Sequence, residues 1–305
     1  MAAAEKVTVE VGGRRLALSN LGKVLYPETG FTKGQVIDYY VRVADVLLPH
    51  LAGRPLTVKR YPDGVDGKSF FEKNAPSHTP DWVRRVELPS PGSTMDRDTI
   101  RYLVVEELAT LVWLANLAAL ELHVPQWTVG PRDGVRGADL LVFDLDPGPP
   151  ATVVECARVA LLVRERLAAD GLQAWAKTSG SKGMQLYVPL RPVDPGRPWD
   201  YAKELAKTVA GEHPDLVVWQ MTKALRPGKV LIDWSQNNAA KTTVAAYSLR
   251  ARPEPTVSTP LTWDEVEDCV ESDDLRFTAD EVLDRVAEHG DLLADLGSTA
   301  QRLPR

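Results

Sequence analysis

The sequence predicts a mixed α/β (α+β) chain, with an N-terminal α/β module packed on a C-terminal RRM-like module around a shared active-site cleft. Three observations carry this. Short β-branched runs such as LLVFDLD, MQLYVPL and KVLIDWS alternate with longer stretches of helical periodicity. From Asp139 onward the order is β-α-β-β-α-β, that of a split, ferredoxin-like or RRM-like unit. A Pro- and Gly-containing connection over 123–137 separates this half from one with its own strands and helices. The chain thus forms one domain over 1–305, with approximate modules at 1–137 and 138–305, the second carrying the terminal helices.

Each element has a local reason. VTVEV, Gly12-Gly13 and RRLALS form a hairpin. Thr32 is placed to cap a helix over 33–48, whose apolar stripe is Val36, Tyr40, Val43 and Leu47. PLTVKRYP is a strand, residues 62–103 are irregular apart from FFEKNAP, and 106–120 is an apolar, buried helix. In the second half LLVFDLD is a strand, 151–169 a helix, QAWAKTS and MQLYVPL strands around an SGSKG turn, and 199–211 a helix. DLVVWQ and KVLIDWS are strands, and helices follow near 262–270 and 279–289.

Composition narrows the classes. The 305 residues are 44% apolar with net charge −6, so a DNA-binding surface would be a local basic patch on an acidic body. Two cysteines, Cys156 and Cys269, argue against a disulfide framework and fit a reducing cytosol, so a cytoplasmic location is expected. No apolar run approaches the roughly 18 residues that span a membrane, and the N-terminus lacks the apolar core of a signal peptide.

The chemistry lies in three carboxylates. Asp144 and Asp146 end LLVFDLDPG, and Asp233 ends KVLID. Residues at i and i+2 point to one face of a strand. In an RRM-like order the first and last strands lie close together, which brings Asp233 to the pair. A cluster of like charges needs a proton or a cation, and oxygen ligands suit Mg²⁺ or Mn²⁺. One such Asp alone more often just ends a strand; the DxD with the distant DW favours a metal site.

Other residues fit an anionic substrate. Ser179, Gly180, Ser181, Lys182 and Gly183 form a small-residue turn that could admit an anion to backbone N–H groups, although many hairpins look alike. Its glycine spacing is not that of a Walker motif. Arg226, Lys229, Lys241, Arg250 and Arg252 flank Asp233, and Gln236 and Asn237 add neutral donors. His123 is either a phosphate ligand or a buried, hydrogen-bonded histidine. Asn20, Lys23 and Lys33 sit near a helix start, a fair anion site. Phe70 and Phe71, beside Lys59 and Lys73, suggest base stacking or else a satellite core cluster.

These segments together resemble the polymerase domain of the bacterial end-joining ligase LigD, in the archaeo-eukaryotic primase superfamily. The likeness runs from SNLGKVLYP to the terminal helices and is carried by VFDLDPG, SGSKG, IDWSQN with KTT, YSLR, FFEKNAP and HVPQW. It implies template-guided nucleotidyl transfer to a primer 3′-hydroxyl in end joining or gap filling, with two divalent ions, Mn²⁺ or Mg²⁺, on Asp144, Asp146 and Asp233. It implies NTP or dNTP contacts from Lys59, Phe71, His123, Ser179, Lys182, Gln185, Arg226, Gln236 and Arg250, with ribonucleotides preferred. Asn20, Lys23 and Lys33 match a pocket for a 5′-phosphate on the downstream strand of primed or gapped DNA. Ku and an ATP-dependent DNA ligase enter as candidate partners, and no membrane is involved.

Two departures stand out. Gln185 occupies a position that is commonly His in the family, and glutamine cannot carry a proton or positive charge. PRDGVR has the outline of a ligase motif but carries Pro131 where the nucleophilic lysine belongs. A stand-alone polymerase, or an isolated domain of something longer, is therefore expected. Two rivals come from other classes. VFDLD also resembles the DxD of haloacid-dehalogenase-type phosphatases, although Pro147 and Gly148 and the strand-borne third Asp fit poorly. A non-enzymatic RRM-like nucleic-acid binder is the other, although carboxylates on its strands would repel a phosphate backbone.

Overall fold

The computed structural model describes residues 6–89 and 98–304. Expectations falling on 1–5 and 90–97, namely the start of the N-terminal leader reading and part of the irregular connection, lie outside the described residues. Two larger sheets organise the rest. The strand Val135–Pro147 is flanked by Val230–Asp233 on one side and Met184–Val193 on the other, with Trp175–Thr178 beyond. In chain order these four lie fourth, first, third, second, as a β-α-β-β-α-β unit arranges them. Val217–Val218 and Pro260–Leu261 extend the two ends, and Trp127–Val129 pairs with the start of the long strand.

Alternation explains what each face does. Leu141, Phe143 and Leu145 point to one side and are fully buried against the helices Val153–Ala169 and Gly196–Glu212. Asp144 and Asp146 therefore point to the other side. Thr152 starts the first helix with a capping box to Glu155. Val159, Val163 and Leu167, fully buried on that helix at ~2 kcal/mol each, hold it far more firmly than its cap, which is worth ~1 kcal/mol.

The second sheet runs Thr243–Val244, Ala119–Val124, Pro55–Arg60, Thr99–Val104, Arg85–Pro89, with Phe70–Glu72 also paired to Pro55–Arg60. Its core takes in Val36, Tyr40, Leu47, Leu111 and Leu120. The expected division near residue 137 is crossed by the chain. Ala245, Tyr247, Leu249, Val257 and Val282 all join this N-terminal core. Three buried tyrosines fasten that crossing: Tyr39 donates to the Tyr247 carbonyl at 2.8 Å, Tyr26 to that of Arg250 at 3.0 Å, and Tyr40 Oη accepts from the Leu249 amide at 3.2 Å.

Several local expectations are corrected. The 33–48 helix is two helices, Lys33–Arg42 and Ala44–Leu51, because Val43 leaves helical geometry with ψ near −3°. Its start is as expected, with Thr32 and Gln35 in a capping box. The 106–120 helix is shorter, Leu108–Asn116, and Ala118 at φ +56° turns the chain into the strand Ala119–Val124. No glycine marks that turn, so the apolar run reads as one helix. The 123–137 connection is largely strand, and the irregular stretch holds a hairpin, Arg85–Pro89 with Thr99–Val104. Among the described residues no helix is long and apolar enough to cross a membrane.

Candidate active site

The register of the first sheet builds the cluster. Asp144 pairs directly with Asp233 across antiparallel strands, and Asp146 sits two residues along on the same face. Asp144, Asp146 and Asp233 each bring a ligand atom within 4.8 Å of the others. Burial drives the Asp144 carboxyl up to about 7, and the charges of Asp146 and Asp233 push it the same way. Asp146 is raised by burial and by Asp233, with Arg226 opposing. Three hard oxygen donors that repel one another without a counter-ion are the donor set of a divalent-cation site, and Mg²⁺ or Mn²⁺ fits it.

The surroundings hold these carboxylates in place. Asp233 Oδ1 accepts from the Ser235 amide at 3.0 Å and from its hydroxyl, and Oδ2 accepts from Gln236 Nε2 at 3.1 Å. Lys241 in turn donates to the Ser235 hydroxyl. Asp144 Oδ1 accepts from Gln185 Nε2 at 2.9 Å. A carboxylate repels an amide oxygen, so the amide nitrogen must face it. Gln185 thereby steadies a cluster ligand through one of its two N–H groups, and its Oε1 is buried without a described partner.

A cleft of about 300 Å³ opens over the cluster, lined by His123, Asp144, Asp146, Ser179, Lys182, Gln185, Gln236 and Arg250 among others. The SGSKG turn is stiff. Ser179 Oγ accepts from the amides of Ser181 and Gly183, both at 3.2 Å, and the Gly180 amide goes to Thr178 Oγ1. The amides of Gly180, Ser181 and Gly183 are spent inside the turn, which leaves the Lys182 ammonium and the serine hydroxyls as its side-chain groups toward an anion. Gly183 is required by space: a Cβ there would sit 2.0 Å from the Leu145 carbonyl oxygen. Arg250 Nη1 donates to the Ser179 carbonyl at 2.7 Å and ties the turn to the N-terminal sheet.

Phe71 is 59% exposed and Phe70 44%. The Phe71 ring lies edge-on to His123 at 5.6 Å with Lys59 Nζ 5.4 Å from its centroid. Phe70 is covered instead by Arg60. Neither Phe71 nor Lys59 lines the 300 Å³ cleft, but His123 connects them to it. Arg226 does not line it either. It donates to the Met221 carbonyl at 2.8 Å and reaches the cluster by its field on Asp146. Asn237 clamps Val142 through both its amide groups, a structural task.

Asn20, Lys23 and Lys33 meet in a separate corner. Asn20, at φ +54°, begins a tight turn whose Lys23 amide returns to its carbonyl, and the Lys33 amide donates to Lys23 O at 2.8 Å. Lys33 is nearly buried, its ammonium on the Ser19 carbonyl, and burial with Lys23 lowers its pKa to about 8. Lys23 pairs with exposed Asp63 at 3.2 Å.

Two charged residues of the region escape sequence reasoning. Lys177 lies in the same cross-strand row as Asp233, Asp144 and Gln185. It is 1% exposed, its amine on the Ser258 hydroxyl and over the Tyr187 ring. A lysine inside the apolar strand QAWAKTS was the available signal. Glu121, two residues before His123, was hidden because the apolar run read as helix through residue 120; E-x-H in a strand would have put both on one face.

The profile of the LigD primase-polymerase domain matches residues 32–293. The chain belongs to the LigD primase-polymerase domain family. It is 48% identical over 288 residues to the multifunctional non-homologous end joining protein LigD of Mycolicibacterium smegmatis, covering 94% of this chain and 36% of that protein. With the bifunctional LigD of Bacillus subtilis the identity is 34%, over 90% of this chain and 43% of the relative. The chain thus spans well under half of these curated relatives. The polymerase domain of Mycobacterium tuberculosis ligase D, solved with DNA, superposes with a TM-score of 0.87 at 45% identity, covering 94% of this chain and 99% of that one. As a member of the LigD primase-polymerase family the chain is a template-dependent nucleotidyltransferase, and the phosphatase and binding-module rivals fall away.

Proposed function

We propose that this chain adds nucleotides to a DNA primer 3′-hydroxyl at breaks or gaps, reading a template and gripping a downstream 5′-phosphate. The observation that carries the proposal is the Asp144, Asp146 and Asp233 cluster, two of whose carboxylates line a cleft that Lys182 and Arg250 also line. Its support in end joining is the printed function of the relatives and the DNA held by the solved neighbour.

Divalent cations bound by Asp144, Asp146 and Asp233 would activate the attacking hydroxyl and offset charge on the departing pyrophosphate. The chain's own residues supply positioning. Ser235 and Gln236 fix Asp233, and Gln185 fixes Asp144. Lys182 and Arg250 bring positive charge to the phosphates, and Phe71 offers an exposed face to a base. Ribonucleotide preference would come from groups near the sugar. Ser179 still has its hydroxyl hydrogen and Gln236 its amide oxygen, whereas Asn237 is committed to Val142. Asn20, Lys23 and Lys33 form the 5′-phosphate corner, and Ku and a DNA ligase are the partners to test.

The experiment is primer extension on a gapped duplex with and without a downstream 5′-phosphate, with UTP, dUTP and dTTP and with Mn²⁺ or Mg²⁺. Extension that requires template and a divalent ion, is stronger with the phosphate and favours UTP supports every part. Equal kcat/KM for UTP and dUTP removes the sugar contact, and templateless or metal-independent addition overturns the mechanism.

A further inference from the structure

One buried carboxylate beside the cleft takes no part in the scheme above. Glu121 is 4% exposed. Its Oε1 accepts from Tyr61 Oη at 3.3 Å and from the Ala251 amide at 3.2 Å, and lies 3.5 Å from Arg250 Nε. Its Oε2 has a single described partner, His123 Nε2 at 3.0 Å. Burial alone would raise this carboxyl, but His123, Arg250 and the Ala251 amide prevail and bring it down to about 2.

An ionised carboxylate can only accept. His123 must therefore carry its hydrogen on Nε2, and in the neutral ring Nδ1 keeps a lone pair. Nδ1 has no partner among the described residues, and the ring lines the cleft. Phosphate oxygens are acceptors too. A neutral His123 held this way cannot donate to them, whereas the doubly protonated ring can.

We propose that Glu121 is a positioning residue that sets the tautomer of His123, so that nucleotide phosphates engage Nδ1 only when the ring takes up a second proton. This rests on the nucleotide-site reading and goes beyond it by making nucleotide affinity proton-linked. The groups facing His123 are Glu121 from its own strand, Lys59 beside Phe71, and Arg250, with Asp144, Asp146 and Lys182 across the cleft. Without nucleotide charge nearby, burial, Arg250 and Lys59 lower the ring's proton affinity against the pull of Glu121. An arriving triphosphate adds negative charge and draws the proton on. Nucleotide KM then rises with pH, by at most about tenfold per pH unit for one coupled proton.

Glu121→Gln tests this with little change in shape. Three donors converge on the Oε1 side, so the amide oxygen takes that side and the amide nitrogen faces His123. Nε2 becomes an acceptor and the ring hydrogen moves to Nδ1. Ring-nitrogen NMR on the metal-free protein at mildly alkaline pH, with His123 assigned by its loss in His123→Gln, should show Nε2–H in the wild type and Nδ1–H in the variant. In primer extension at saturating Mn²⁺ the wild-type nucleotide KM should climb with pH and that of Glu121→Gln should stay flat. An Nδ1–H ring in the wild type, an unmoved hydrogen in the variant, or parallel KM profiles would each overturn the proposal. Failure of the polymerase reading looks different: no incorporation at any pH, with the Nε2–H ring intact.

Discussion

Asp144 and Glu121 are both carboxylates on strands bordering one cleft, and burial by itself would raise both. Their carboxyls end far apart, at about 7 and about 2. Asp144 lies opposite Asp233 and two residues from Asp146, so its neighbours repel it. Glu121 lies among Tyr61, His123, Arg250 and the Ala251 amide, so its neighbours hold its charge. Burial penalises a lone charge; whether a carboxylate stays ionised depends on what stands beside it. The first arrangement suits a site that awaits a cation. The second suits a fixed framework that orients other side chains.

The comparison breaks most visibly in activity. Asp144→Ala and Asp233→Ala should each abolish primer extension while the circular dichroism spectrum is retained, because each removes a ligand and relieves repulsion. Robust extension by either variant with Mn²⁺ present would detach the cluster from catalysis.

Stability should then divide the two carboxylates. Replacing Glu121 by Leu leaves Arg250 without its buried partner and should cost about 3–5 kcal/mol in urea unfolding. Asp144→Asn should do the reverse in metal-free protein near neutral pH, raising Tm by about 2–4 °C, the shift that about 1 kcal/mol makes in a larger domain. Mn²⁺ should raise the wild-type Tm and leave that of Asp144→Asn nearly unmoved. The pH signs follow. The folded Asp144 carboxyl lies above its unfolded value of roughly 3.9, so its contribution is full below that value. It is lost as pH rises toward about 7. The folded Glu121 carboxyl lies below its unfolded value, so its contribution is present at neutral pH and lost as pH falls toward about 2. Thermal melts across pH, with and without Mn²⁺, check both directions.

Smaller effects sharpen the picture at the edges of the cleft. Phe71→Ala should weaken nucleotide binding by about 1–3 kcal/mol, the worth of one stacked base, and Phe70→Ala by less, because Arg60 already covers that ring. A reversed ranking in nucleotide KM would move the stacking platform. Lys23→Ala should cost about 1 kcal/mol, as expected of one exposed charge, and only on DNA with a 5′-phosphate, since Asp63 already shares that ammonium. Equal losses on both DNAs in gel-shift titrations would make Lys23 a nonspecific contact.

Much of the site was legible from spacing alone. Asp144 and Asp146 at i and i+2 must share a face, and the β-α-β-β-α-β order puts Asp233 on the adjoining strand. Thr32 and its helix start followed from capping chemistry. Gln185 was visible as a departure, but its role was not, because an amide shows which group it offers only when its neighbour is known. Glu121 stayed hidden behind a misplaced helix end.

Local pattern determined which residues point together: two-residue alternation and helix caps depend only on nearby chain. Register and the meeting of distant segments were decided by packing. Asp144 opposite Asp233, the Thr243–Val244 strand paired with Val124 and His123 at the edge of the second sheet, and Arg250 bridging Glu121 to the SGSKG turn all join residues far apart in the chain. A strand's alternation fixes its faces but not its partner, and the partner is chosen by which pairing buries the apolar faces of both sheets at once.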